Sequence, residues 1–295
     1  MTLPKIYFQG EPGAFSEAAV LNHWPAAEPV GLPTFASVFQ QLAEDVEQVG
    51  LLPIENAYAG TVVDVLDLLI QHPELSIWAE VVQPVALALL GLPGMRLQDV
   101  RRVRSHPQAL MQSRGYWQAR GWQMEVASDT AGSARELVQH RWPGVAAIAG
   151  PHVAAEYGLA ILENGIQDHA DNRTRFWMIS GRRPTRLTIG LTAGLAKTSL
   201  VFDTANTPGS LFRALHPFAD AQINLTKIES RPRPHHPFGF RFWIDCEGDL
   251  DSPELMSQVI PQFRASTEWY RILGRYPLLD AGYSGGSAGI PIPRD

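Results

Sequence analysis

Apolar positions in the first 180 residues fall into short runs that alternate with helix-period patterns. The runs predict strands over Lys5–Gln9, Val49–Pro53, Val81–Leu90, Gln123–Ala127, Val145–Ala149 and Phe176–Ser180. Between them, helices are predicted near Phe15–His23, Phe35–Glu44, Val62–Ile70, Pro107–Ala119, Ala131–His140 and Pro151–Tyr157. Such alternation implies an α/β fold with mainly parallel sheets and helices on their faces. There is no repeat of solenoid period and no heptad run.

The pattern changes after Gly181. Arg182-Arg183-Pro184-Thr185-Arg186 is polar and aperiodic, so 182–196 reads as a linker. Beyond it come a strand at Thr198–Phe202, a helix starting over Pro208–Leu215 and a strand at Gln222–Ile228. A Pro-rich turn at Arg231–Pro237, a strand at Phe240–Cys246, a helix at Pro253–Phe263 and a strand at Glu268–Leu273 follow. The order βαββαβ is ferredoxin-like. This second unit is expected to span 197–278. A tail over 279–295, Gly/Pro/Ser-rich from Ser284 to Asp295, is expected to be mobile.

Composition narrows the function classes. The 295 residues are 45% hydrophobic and 18% charged, enough for real cores. The charge sum, 24 − 30 = −6, argues against a nucleic-acid sleeve or a polybasic membrane patch. Val85–Leu92 is too short for a bilayer, which takes roughly 20 residues, and Met1–Lys5 shows no secretory pattern. A soluble cytoplasmic protein is expected. The single cysteine, Cys246, excludes an intramolecular disulfide and any multi-cysteine metal site. Only Lys5, Lys197 and Lys227 are lysines and the other basic residues are Arg, a bias read as codon composition, with thermal adaptation the weaker alternative.

The chemistry gathers where strands run into helices. Gln9–Ser16, Pro53–Thr61, Ser105–Gln108, Ser128–Thr130 and Gly150-Pro151 are such loops, and Thr61-Val62-Val63-Asp64 matches a capping box with Asp for Glu. In parallel sheets these loops collect at the strands' carboxyl ends, where ligands bind. Unpaired helix-start N–H groups there suit a small anion. Any one loop could be an ordinary turn; the polar density of Glu55, Asn56, Ser105, His106, Gln108 and Thr130 tilts the balance. Asn172-Arg173-Thr174-Arg175-Phe176 adds a hydroxyl and a forked cation at a strand mouth, and an Arg–carboxylate bond contributes about 1.5–3 kcal/mol. His235-His236 lack a carboxylate at ligand spacing, so no metal is expected. No dinucleotide fingerprint, P-loop or nucleophile elbow occurs.

Taken together, Gly10–Ser16, Pro53-Ile54-Glu55-Asn56 with Gly60, Ser105–Leu110, Ala147-Ile148, Tyr157-Gly158-Leu159, Ile166-Gln167-Asp168 and Asn172 with Thr174-Arg175-Phe176 resemble prephenate dehydratase. The second unit resembles an ACT regulatory domain. Its Pro208–Leu211 and Leu225–Pro232 look like that family's phenylalanine-binding motifs. The match covers nearly the whole chain in order. Three departures stand out: Ala57 where Ser is usual, Ser113 where Cys is usual, and Gly209-Ser210-Leu211 for Gly-Ala-Leu.

The resemblance implies a two-lobed, periplasmic-binding-protein-like catalytic domain over 1–181, followed by the ACT domain. Lobe one would hold 1–80 and 165–181, lobe two 81–164, with the cleft between them. It implies conversion of prephenate to phenylpyruvate, water and carbon dioxide. The substrate is its own electron sink, so no cofactor is required. Thr174 would serve the leaving hydroxyl, with a relay through Glu55 or His106, and Arg175 would anchor a carboxylate. Asn56, Ser105, Gln108 and Thr130 would orient the substrate, Gly60 and Thr61 would line the site, and Phe176 would pack on the ring. Phenylalanine would act as effector on Asn206, Gly209, Ser210, Leu211, Asn224, Leu225, Thr226, Glu229 and Ser230. ACT domains pairing across subunits would give a homo-oligomer, dimer or tetramer. Arogenate dehydratase is the alternative among enzymes, and a non-catalytic amino-acid sensor the alternative outside them.

Overall fold

A computed structural model describes residues 3–185, 187, 196–233, 236–248 and 257–279. The proposed linker lies largely outside them, as do His235, Pro253 and the tail beyond 279.

Among the described residues, two sheets organise the chain. The larger has ten strands: β1 (Lys5–Gln9), β2 (Glu28–Leu32), β3 (Val49–Asn56), β4 (Gly60–Thr61), β5 (Ser76–Pro84), β11 (Arg173–Ser180), β12 (Ala196–Asp203), β13 (Leu225–Pro232), β14 (Phe240–Glu247) and β15 (Trp269–Leu279). Its path runs β13-β14-β12-β15-β5-β11-β3-β1-β2, with β4 beside β3. The smaller sheet is β10 (Ala160–Asn164), β6 (Ala88–Gly91), β9 (Val145–Ala149), β7 (Arg102–Ser105) and β8 (Gln123–Val126), in that order. Both are mixed. β1, β2 and β3 are parallel, as are β7, β8 and β9, while β11, β5, β6 and β10 make antiparallel pairs.

Helices α1 (Phe15–His23), α2 (Phe35–Glu44) and α3 (Val63–Gln71) cover the first part of the large sheet. α4 (Pro107–Gln112), α5 (Arg114–Gln118), α6 (Thr130–His140) and α7 (Val153–Tyr157) belong with the small one. α8 (Ser210–Asp220) and α9 (Ile260–Ala265) follow the βαββαβ order expected after residue 196.

Several expected elements are corrected. The strand over Val81–Leu90 is two strands in different sheets, because Pro84 ends β5 and the chain crosses over before β6. It crosses back before β11, and the two crossings are bonded, Val85 N to Asn172 O at 2.9 Å and Ile166 N to Leu87 O at 3.0 Å. The helix over Pro107–Ala119 breaks at Ser113, whose hydroxyl bonds back to Ala109 O. Ser113 is fully buried, as a packing residue would be. The capping box at Thr61 does not form: α3 starts after Val62, and the Thr61 hydroxyl is bound elsewhere. β13 begins later than expected and runs through Pro232, which an edge strand tolerates.

The ACT-like sheet is buried on both faces. Leu200, Phe202, Ile244 and Cys246 pack under α8 and α9 with Phe218 and Phe263. On the other face Val201, Trp243, Leu273 and Tyr276 join Phe39, Leu42, Leu66 and Trp177 of the first unit. β15 also pairs in parallel with β5, at Gly274↔Ile77 and Leu278↔Glu80, so the sheet continues across the junction.

Candidate active site

Between the two sheets lies a cavity of about 400 Å³. Its floor comes from β11 and β3, through Thr174, Phe176, Pro53 and Asn56. Its walls come from the starts of α1, α4 and α6, through Phe15, Ser16, His106, Gln108, Asp129 and Thr130. N–H groups in the first turn of a helix have no intrahelical partner, so α1 and α6 present donors from opposite walls, although at α6 the Asp129 carboxylate already takes Gly132 N–H at 2.6 Å.

Strand parity decides what the floor presents. Along β11, Phe176 and Met178 pack with α1, whereas Trp177 and Ile179 pack toward the ACT-like sheet. Thr174 shares the cleft-side parity and Arg175 the other. A register shift in the β11–β3 ladder lies between Arg175 and Phe176, pairing Thr174 with Asn56 and Phe176 with Pro53. Without that irregularity, three residues apart on β3, Asn56 and Pro53 would point to opposite faces. The shift lets both reach the cavity.

Asn56 organises this step. Its Oδ1 accepts from Tyr58 N at 3.1 Å, Ala59 N at 3.0 Å and Gln112 Nε2 at 3.3 Å. Those donors fix the orientation of the amide. Its Nδ2 then donates to Asn172 Oδ1 at 2.9 Å and to Thr174 Oγ1 at 3.0 Å. Because the Thr174 oxygen accepts there, its proton is left to donate elsewhere, on a side chain that lines the cavity. His106 accepts from Gln108 N through Nδ1 at 3.2 Å, so a neutral ring carries its proton on Nε2.

Other expected site residues stand elsewhere. The placement of Arg175 and Glu55 in the cleft is corrected: neither lines the cavity. The Arg175 guanidinium bonds Glu55 at 2.7 Å, Glu80 at 2.7 Å and Asp245 at 2.6 Å, below the strand. A substrate carboxylate would have to displace these partners. Glu55 also meets Lys227 at 3.2 Å, so the relay through Glu55 to Thr174 is replaced by the ion pairs. Ser105 is fully buried and donates to Ile148 O, holding β7 to β9 rather than facing ligand. Gly60 and Thr61 form β4 at the junction, where Thr61 Oγ1 donates to Glu229 at 2.9 Å and accepts from Lys227 at 2.8 Å.

The expected effector residues form two strips. Gly209, left-handed at φ 78°, leads into α8, whose first turn no side chain caps. Ser210 is buried, shares a 2.7 Å bond with Thr207 and receives Arg213 at 3.1 Å. Leu211 packs under the sheet, and Asn206 is exposed. Leu225, Thr226, Glu229 and Ser230 lie on edge strand β13, with Asn224 just before it. β14 separates β13 from β12, the strand that leads to α8.

Gln112 also lines the cavity, as do Glu11, Ser16 and Asp129, which lie in the loops named above but which nothing in the sequence singles out. Sequence reasoning missed how the 10–14 loop is gripped from across the cleft. Glu11 pairs with Arg135, Tyr157 donates to Pro12 O at 3.0 Å and His152 Nε2 donates to Gly13 O at 2.9 Å. Gly13 sits at φ 87°, and a Cβ there would come within 3.2 Å of Val153 and 3.3 Å of Ala131. Gly13→Ala is therefore expected to loosen this grip, raise KM several-fold and cost about 1 kcal/mol. An unchanged KM in steady-state kinetics would show that the grip does not serve ligand.

Residues 6–184 match the family model for prephenate dehydratase and residues 198–260 that for the ACT domain. The chain is 38% identical to arogenate dehydratase/prephenate dehydratase 2, chloroplastic, of Arabidopsis thaliana, over 93% of this chain and 73% of that one. Among solved structures, prephenate dehydratase from Arthrobacter aurescens in complex with L-Phe superposes with TM-score 0.82 at 30% identity, covering 92% and 89% of the two chains. GqqA, described as a novel type of quorum quenching acylase, superposes with TM-score 0.83 at 34% identity, covering 93% and 98%. The chain thus belongs to the prephenate dehydratase family, lyases that dehydrate and decarboxylate prephenate, and carries an ACT regulatory domain after the catalytic one.

Proposed function

We propose that this protein converts prephenate to phenylpyruvate in the cavity floored by Thr174 and Asn56. The carrying observation is the Asn56–Thr174 bond, which leaves the threonine proton to donate into a pocket walled by helix starts. Carboxylates would bind first-turn N–H groups of α1 and those of α6 that the Asp129 cap does not take, and Phe176 would pack on the ring. As the C–CO2 bond breaks, its electron pair moves through the ring and expels hydroxide from the opposite carbon. Thr174 hydrogen-bonds that leaving oxygen, His106 Nε2–H would donate a second hydrogen bond to it, and the proton that makes it water comes from solvent. Positioned proton donation contributes about 10²–10⁴-fold, and fixed dipoles add to it.

A second substrate, arogenate, is favoured by one feature. Glu11 and Asp129 line the cavity, and among its described lining residues there is no Lys or Arg. A carboxylate suits the ammonium that arogenate carries in place of the keto group. The proposal includes phenylalanine as effector at the uncapped start of α8 and along β13, and a homo-oligomer paired through the exposed β13 edge. It further divides the chain into 1–181, a linker over 182–196, an ACT domain over 197–278 and a tail. A cytoplasmic location is part of the proposal, although the plant relatives are named chloroplastic.

The test is turnover of both substrates by the purified chain during a phenylalanine titration. Release of phenylpyruvate from prephenate, lowered or raised by phenylalanine, is the expected result. Turnover of arogenate alone would select the second reading. Turnover of neither would leave an amino-acid sensor.

A further inference from the structure

The charged cluster beneath the active strand is built from both domains. Arg175 gives Nη1 to Glu55 of β3, Nε and Nη2 to Glu80 of β5, and Nη2 also to Asp245 of β14. Glu80, fully buried, takes Lys197 Nζ of β12 at 2.7 Å and Trp177 Nε1 at 3.2 Å. Asp245, also buried, takes the Ser199 hydroxyl at 2.5 Å, and Ser199 shares a 2.6 Å bond with Tyr276. One guanidinium thus ties the strands on both sides of β11 to the ACT sheet.

The junction around the cluster is sealed by Val201, Trp243 and Leu273. Adhesion alone needs no more than such apolar contact, and burying ions beside it carries a desolvation cost. What the ions add is position. Arg175 neighbours Thr174, and its partner Glu55 neighbours Asn56, at the step where the β11–β3 register shifts. Holding Arg175 and Glu55 together below the sheet holds Thr174 and Asn56 together above it.

We propose that Asp245 and Lys197, supplied by the ACT sheet, are positioning residues for the reaction: they complete the cage around Arg175 and Glu80 and so fix the register that aims Thr174 into the cleft. On this view the ACT domain builds part of the catalytic geometry even with no effector bound. The inference rests on the assignment of Thr174 made above.

The test is a double-mutant cycle in the full chain. Asp245→Asn, which keeps the side-chain shape, should lower kcat about tenfold and leave KM within about twofold. Combined with Thr174→Val it should cost no more than about twofold beyond Thr174→Val alone, because both act on one group. Ser199→Ala, a milder change to the same cage, should lower kcat about threefold with the same lack of additivity, and it serves if Asp245→Asn does not fold. An unchanged kcat in the single variants, or losses that multiply fully with Thr174→Val, would overturn the inference while leaving the proposed reaction standing. A wild-type chain that turns over neither substrate would overturn the reaction, and the inference with it.

Discussion

Thr174→Val is expected to lower kcat by about 10²–10⁴-fold while KM changes little. Valine keeps the shape and the β propensity of threonine, so β11 should hold its place. What is lost is the proton that Asn56 leaves free, together with the oxygen that Asn56 Nδ2 donates to. The interaction with the departing hydroxyl grows as the carbon–oxygen bond lengthens, so its loss falls on the transition state and thus on kcat. The Thr174→Ser variant should recover most of the rate, because it restores the hydroxyl on the same backbone. A Thr174→Val enzyme with near wild-type kcat would remove Thr174 from the chemistry.

Arg175→Met should cost about 3–5 kcal/mol of stability, a fall on the order of 10 °C in Tm. It leaves Glu55, Glu80 and Asp245 without their shared cation. The pH dependence follows from Glu80. Burial alone would raise its pKa, but Arg175 and Lys197 outweigh it and hold the carboxyl below the ordinary glutamate value. A depressed folded-state pKa stabilises the fold above the unfolded pKa, and that stability fades as pH falls through the folded value. Without Arg175 the burial effect gains, Glu80 shifts upward, and protonating it relieves the variant. The stability gap to wild type should therefore narrow between about pH 7 and about pH 4 in denaturant titrations. A gap below about 1 kcal/mol, or one that widens in acid, would contradict the cage. Arg175→Lys, expected to raise KM if Arg175 held a substrate carboxylate, should instead leave KM near wild type and lower Tm.

The sequence displays the alternation of elements well, and β1, β9, α1 and α2 fall where periodicity puts them. It hides the faces of β11. Arg173–Ser180 is apolar on both sides from Phe176 onward, because the ACT sheet covers the side away from α1. With no polar face, the period of two gives no contrast, and Thr174 and Arg175 read as one site although adjacent strand residues face apart. One signal was available. Glu80 and Lys197 are ions at buried positions of their strands, and two of the chain's three lysines, Lys197 and Lys227, reach this junction. Buried ions in such strands need partners, and those partners sit some 117 residues away in sequence, beyond any local pattern. The grip on the 10–14 loop is equally nonlocal, since it comes from Arg135 of α6 and from His152 and Tyr157 at α7.

The most direct measurement is a crystal structure with phenylpyruvate bound. The account predicts the ring on Phe176, the carboxylate at the start of α1 or α6, and the ring carbon opposite the side chain within about 4 Å of the Thr174 hydroxyl. A ring bound outside this cavity, or one that turns its far carbon away from Thr174, would contradict it.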